Sequence, residues 1–211
     1  MHDPLPGTMD ETVNETAPLR IGVLALQGAF AAHVDTLTRL GATASEVRTP
    51  RDLSSLDGLV MPGGESTTMS KLLTSSGLFD DLKGMISDGF PVFGTCAGMI
   101  LLATEVLDGR PDQRWFGAID ITVRRNGYGR QVDSFESDLD VIGLDSPFHA
   151  VFIRAPLVTT FGDHVQVLAT YDDHVVVARQ GNIIVAAFHP ELTDDGRLHA
   201  QFLQAVAVGS Q

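Results

Sequence analysis

Between Phe90 and Leu102 the chain reads Phe-Pro-Val-Phe-Gly-Thr-Cys-Ala-Gly-Met-Ile-Leu-Leu. A short apolar run enters Gly-x-Cys-x-Gly and leaves directly into a helix-forming apolar segment. That order predicts a buried strand, a sharp turn and a helix, the elbow that presents a nucleophile on strained backbone. Gly94 and Gly98 flank the turn because a Cβ at either position would crowd it. Cys96 is the single cysteine of 211 residues. At the start of a helix it would face unpaired N–H groups and the positive end of the helix dipole, which favour the thiolate. The other reading of Cys96 is an inert buried thiol.

A cysteine nucleophile needs a base, and one is available near the other end. Asn182 to Phe188 reads as a buried strand running into His189-Pro190-Glu191. Pro190 fixes its own φ and biases His189 towards extended backbone. Side chains two apart on an extended chain share a side, so His189 and Glu191 suit a base and the carboxylate that orients it. They would otherwise be a strand-end histidine and a solvated glutamate. A third strand, Leu59 to Met61, ends in Pro62-Gly63-Gly64 before a helix expected to be capped by Ser or Thr. Its glycines allow close backbone approach to a ligand, and with the N–H of Ala97 the loop would form an oxyanion hole. A phosphate-cradling helix start and a plain tight turn are the alternatives at this loop.

The remaining pattern is α/β. After a first strand, Ile21 to Leu26, comes a helix with Phe30, Val34, Leu37 and Leu40 on one face and Gly41 closing it, with His33 expected at a partly exposed position. A strand at Ala44 to Arg48 follows, and helices are expected at about 67–73 and 78–87. This alternation predicts a mostly parallel, doubly covered sheet with both glycine turns at the carboxyl ends of strands, where open α/β sheets bind ligands. Beyond the polar loop at 108–114 the expectation is largely β, at 118–124, 151–154, 165–171, 175–180 and 183–188. Asp172-Asp173 and Gly181-Asn182 serve as hairpin turns, and a last helix spans about 197–206. Residues 1–18, with three prolines and several acids, read as a disordered acidic extension, leaving 19–208 as one domain.

Fourteen basic against 27 acidic residues give a net charge of −13, which opposes nucleic acid and anionic lipid. A single cysteine suits a reducing compartment, and neither a signal segment nor a spanning apolar run is present. The expectation is a soluble, cytoplasmic protein requiring no metal and no cofactor.

Taken together, Gly-Thr-Cys-Ala-Gly at 94–98, Pro-Gly-Gly-Glu-Ser-Thr-Thr at 62–68 and His-Pro-Glu-Leu at 189–192 resemble a class I (triad) glutamine amidotransferase. Leu-Ala-Leu-Gln-Gly-Ala at 24–29, the stretch from Arg125 to Glu136 and Phe-Ile-Arg-Ala-Pro at 152–156 narrow the resemblance. They are similar to the glutaminase subunits of the ribose 5-phosphate-dependent pyridoxal phosphate synthase. That resemblance implies a flavodoxin-like, three-layer sheet with additional antiparallel strands. It also implies hydrolysis of L-glutamine to glutamate and ammonia by Cys96, His189 and Glu191, with Gly64 and Ala97 as oxyanion donors. Gly63, Gly64, Glu65, Arg125, Ile153 and Arg154 would hold glutamine, although the two arginines could equally be surface ion-pair residues. The partner implied is a (β/α)8-barrel synthase subunit in a large hetero-oligomer, docked on the face carrying Gln27-Gly28 and the Pro-Gly-Gly loop. Other readings are the glutaminase of a different synthase such as that of imidazole glycerol phosphate, a cysteine peptidase or deglycase on a similar sheet, and a binding subunit without chemistry.

Overall fold

The computed structural model describes residues 17–125, 127 and 134–209. The expected acidic extension therefore lies, but for its last two residues, outside the described residues, as do Asn126 and residues 128–133 of the stretch from Arg125 to Glu136. The chain runs β1 (Arg20–Leu24), α1 (Phe30–Arg39), β2 (Thr43–Val47), β3 (Gly58–Met61), α2 (Ser66–Ser75), α3 (Leu78–Ser87), β4 (Val92–Thr95) and α4 (Ala97–Leu102). It continues through β5 (Ala103–Val106), β6 (Ile119–Arg124), β7 (Ser134–Leu139), β8 (Phe148–Ile153), β9 (Leu157–Phe161), β10 (Gln166–Tyr171), β11 (His174–Gln180), β12 (Ile183–Ala186) and α5 (Arg197–Gly209).

Among the described residues the main sheet has seven strands in the order β10-β11-β12-β4-β3-β1-β2. From β12 to β2 every pairing is parallel, whereas β10, β11 and β12 pair antiparallel. Parallel strands covered on both faces should be continuously apolar, and β3, β4 and β12 are buried at every position. Along β4, Phe93 meets His199 and Phe202 of α5. The opposite face, at Gly94, lies against Gly98 and Leu102 of α4. The sheet is thus covered on both sides, as the alternation of elements predicts. Two smaller sheets, β5-β6-β9 and β7-β8, complete the structure. No helix among the described residues is long and apolar enough to cross a membrane.

Several local expectations need correction. His33 is wholly buried rather than partly exposed, while Leu40 is exposed. The inward stripe of α1 is His33, Thr36 and Leu37, because polar partners on α5 and at the His-Pro-Glu turn accept His33. The cap of α2 is Glu65, not a serine or threonine: its carboxylate folds back to accept the N–H groups of Thr67 (3.0 Å) and Thr68 (2.7 Å). Strands β5, β7 and β9 were not expected. β5 follows α4 with no intervening turn residue, and β7 is a Ser/Glu/Asp-rich strand of low intrinsic propensity. The Asp172-Asp173 turn is as anticipated, with φ of 49° and 61°, the positive values a type I′ hairpin requires.

The elbow is packed backbone against backbone. A Cβ on Gly98 would overlap the carbonyl oxygen of Met61 in β3, and one on Gly94 would lie 2.9 Å from the Gly98 carbonyl. Both obstacles are backbone and cannot turn aside. Gly98→Ala is therefore expected to lower stability by at least about 2 kcal/mol in urea unfolding, at the upper end of overpacking costs. A midpoint equal to that of the unaltered protein would show that β3 and α4 are not in this contact.

Candidate active site

Cys96 occupies the turn between β4 and α4 with φ 50° and ψ −104°, a conformation rarely adopted by a residue with a Cβ. Its N–H still donates to the carbonyl of Ala186 (2.8 Å), so the nucleophile position is fastened to β12 and is not a floating loop. The N–H of Ala97 begins α4 and has no acceptor one turn back within that helix. Cys96 Sγ lies 3.9 Å from the carbonyl oxygen of Ile153, at the end of β8. The following residue, Arg154, has φ 45°, a second non-glycine residue in the left-handed region beside the same thiol.

The base comes from the chain immediately after β12. The backbone N–H of His189 donates to Val151 (2.9 Å), tying this turn to β8. Its Nδ1 is 2.8 Å from Glu191 Oε1, but the contact is made by a 3₁₀ turn at Pro190–Leu192 and not by the extended chain expected there. The Glu191 side chain is completely buried and that of His189 nearly so. Burial alone would push the His189 imidazole down, but hydrogen bonds with Cys96 and Glu191 outweigh it and raise its pKa. Burial would likewise raise the Glu191 carboxyl, yet the hydrogen bond with His189 and the adjacent His33 imidazole hold it well below the ordinary glutamate range. The pair therefore stands as imidazolium and carboxylate, in a place where either charge alone would be costly.

The Pro-Gly-Gly loop closes the third side. A Cβ on Gly63 would collide with the His189 ring and stand 3.3 Å from Cys96 Cβ, and a Cβ on Gly28, at φ 89°, would collide with the Gly63 carbonyl. Bare backbone is thus the only material that fits between Gln27-Gly28 and the two reactive side chains. Gln27 Oε1 accepts the N–H of Glu65 (2.9 Å) and so pins the loop. Nothing in the spacing of the sequence pointed to that role.

These elements enclose a cleft of about 380 Å³. Of the residues expected at the site, Cys96, His189, Gly63, Gly64, Glu65, Arg125, Ile153 and Arg154 all line it. Ala97 and Glu191 do not: one lies beneath the thiol and the other behind the imidazole. The Glu65 carboxylate, held down at about 2 against its burial by the Thr68 and Thr67 hydrogen bonds, is committed to capping α2. Arg125 Nη1 donates to Thr67 Oγ1 (2.7 Å) and pairs with Glu65 (3.4 Å), which steadies the guanidinium at the cleft wall. Gln113, which sequence reasoning missed, is buried behind Arg125 with its carbonyl oxygen 3.2 Å from Thr67 Oγ1.

Chemically, the arrangement joins a thiol, a base with a carboxylate orienter, glycine backbone and an arginine in one cleft large enough to admit an amino acid. In Cys96→Ala the His189 imidazole is expected to lose its proton at lower pH than in the unaltered protein. One of the two groups holding that proton is gone, while the Glu191 contact stays. A histidine-resolved NMR titration checks this, and an unchanged midpoint would contradict the contact with Cys96.

The pyridoxal 5'-phosphate synthase subunit PdxT of Mycobacteroides abscessus is 57% identical over 189 residues, covering 90% of this chain and 98% of that protein. The protein of the same name from Thermosipho africanus is 53% identical, covering 89% and 99%. A solved glutamine amidotransferase superposes with a TM-score of 0.84 at 48% identity, over 89% of this chain and 98% of that one. A chain of the PurLQS structure from Thermotoga maritima, at 17% identity, shares the fold, with a TM-score of 0.61 over 89% of this chain and 98% of its own. Residues 23–208 match the SNO glutamine amidotransferase family, and the chain belongs to that family.

Proposed function

We propose that this chain is the glutaminase subunit of a pyridoxal 5'-phosphate synthase. It hydrolyses L-glutamine to L-glutamate through Cys96, His189 and Glu191 and passes ammonia to a synthase subunit. The observation that carries this reading is the buried 2.8 Å contact between His189 and Glu191, placed behind a cleft that Cys96 also lines. Relatives more than half identical over nearly their whole length bear the synthase-subunit name, which supports the choice of acceptor.

In the proposed reaction the Cys96 proton already rests on His189, and the thiolate attacks the carboxamide carbon of glutamine. The tetrahedral oxyanion is met by the N–H groups of Gly64 and Ala97, whose worth rests on being aimed before the charge forms. His189 returns its proton to the leaving nitrogen, and ammonia departs as the C–N bond breaks, leaving a thioester on Cys96. A water that gives its proton to His189 then attacks the thioester carbon, the C–S bond breaks, and glutamate leaves with Cys96 again a thiolate. Glu191 keeps the imidazole in one tautomer and stabilises its cation. The guanidinium groups of Arg125 and Arg154 suit the substrate α-carboxylate, backbone beside Ile153 suits the α-amino group, and Gly63, Gly64 and Glu65 form the opposite wall.

Ammonia set free in water becomes ammonium, so delivery calls for a partner over the cleft. We assign that place to the (β/α)8-barrel synthase subunit of a large cytoplasmic hetero-oligomer, docked on the face carrying Gln27-Gly28 and the Pro-Gly-Gly loop. Docking of that subunit assembles the oxyanion peptide, so the isolated chain is a poor glutaminase.

Glutamate release by the purified chain, with and without the synthase subunit, tests the reading. A large rise on adding the synthase is expected, abolished in Cys96→Ala by roughly 10⁴-fold or more. Glu191→Gln should keep turnover above the Cys96→Ala level, since Glu191 orients the base without attacking. Strong activity of the chain alone, unchanged by the synthase, would contradict the partner assignment. Equal turnover by Cys96→Ala and the unaltered chain would exclude the thiolate mechanism.

A further inference from the structure

Behind Glu191 lie two histidines that the mechanism does not use. His33 of α1 and His199 of α5 are both fully buried, and His33 Nδ1 is 2.8 Å from His199 Nε2. The other nitrogen of His33, Nε2, stands 3.3 Å from Glu191 Oε2 and 3.5 Å from Oγ1 of Thr95, the residue before the nucleophile. Glu191 Oε2 has no aligned hydrogen bond among the described residues, and His33 Nε2 is the donor placed to meet it. Five side chains therefore follow one another inward: Cys96, His189, Glu191, His33 and His199.

The polarity of this chain follows from counting protons. Glu191 as a carboxylate only accepts, so the nitrogen of His33 facing it must be the N–H. His33 Nδ1 is then the acceptor, and His199 must donate from Nε2. That leaves His199 Nδ1 as a bare lone pair, and this atom is buried with no partner among the described residues. The opposite polarity would bury an N–H there with no acceptor, a costlier defect. The structure is consistent with one arrangement of protons, pointing from His199 towards Glu191. Burial, the neighbouring His33 and Arg39 push His199 down to about 3 against the pull of Glu191, so it remains an uncharged donor. The charged or titratable groups facing the pair are Glu191 and His189 from the turn after β12 and Arg39 from α1, while β4 contributes only the hydroxyl of Thr95.

We propose that His33 and His199 are positioning residues of the glutaminase site: a buried imidazole pair with a single polarity that supplies a proton donor to the second oxygen of Glu191 and so fixes the carboxylate that orients His189. The inference rests on the Cys96–His189–Glu191 reading and extends it by two residues.

The test uses the full chain together with its synthase partner and compares the unaltered protein, His33→Leu, His33→Gln and Cys96→Ala. In His33→Leu, kcat for glutamate release should fall by about tenfold to a hundredfold, with KM for glutamine within roughly twofold. The acid limb of the kcat–pH profile should move upward, because Glu191 takes a proton more readily once the His33 N–H is gone. His33→Gln, which restores an N–H donor and a carbonyl acceptor, should recover most of both. A readout that needs no variant to fold is ¹⁵N NMR of the unaltered chain, in which His33 and His199 should both be protonated at Nε2. A folded His33→Leu with unaltered kcat and acid limb would overturn the proposal while leaving the triad reading intact, provided Cys96→Ala is inactive. Protonation of His33 at Nδ1 would overturn it equally. Undiminished turnover by Cys96→Ala would instead remove the triad reading, and this extension with it.

Discussion

The elbow at Cys96 is held by contact between backbones, and most of the site follows from it. Gly98 sits so close to the Met61 carbonyl, and Gly94 to Gly98, that neither position admits a Cβ. This lets α4 start directly at the end of β4 and forces Cys96 into a backbone conformation that unconstrained residues avoid. The strain persists because the Cys96 N–H continues the ladder to Ala186 while both flanks are buried in the sheet. Because β4 lies between β3 and β12, the thiol emerges between the two neighbouring strand ends. One carries the Pro-Gly-Gly loop and the other the His-Pro-Glu turn. Parallel strands bring three loops distant in sequence to one edge, as expected at the carboxyl ends of an open α/β sheet.

Around this frame the electrostatics are arranged by layers. His189 and Glu191 form an ion pair largely out of water, which is stable only if each remaining polar atom finds a partner. On the outer side the partner is Cys96, and on the inner side it is His33 backed by His199. The wall that carries Arg125 uses a different device. There Glu65 commits its carboxylate to the helix amides, and Arg125 is steadied against Thr67, Glu65 and the buried Gln113 side. The two halves share no side chain, so the base and the arginine can be altered separately.

Much of this was legible in the sequence, and the parts that were not have physical causes. Gly-x-Cys-x-Gly and Pro-Gly-Gly are local patterns in which neighbouring residues dictate backbone, so the elbow and loop could be read directly, whereas the 3₁₀ turn at Pro190–Leu192 was read as extended chain. The parallel sheet followed from uninterrupted apolar runs. His33 could not be read, because its burial depends on His199 and Glu191, each more than 150 positions away in sequence. Glu65 as the cap of α2 was missed because a long acid folding back on its own helix looks the same in sequence as the short hydroxyl caps beside it. Strands β7 and β9 take their order from partners across a sheet rather than from propensity, and Gln27 reveals its hold on Glu65 only once two loops meet.

The central claim is that Cys96, activated by His189, forms a covalent bond to the carbonyl carbon of glutamine. The most direct test is to expose the chain, with its synthase partner, to an electrophilic glutamine analogue such as a diazoketone, and to locate the adduct by peptide mass spectrometry. The account expects one adduct, on Cys96, suppressed by excess glutamine and greatly slowed in His189→Asn. An adduct elsewhere, or one on Cys96 that glutamine does not suppress, would contradict it.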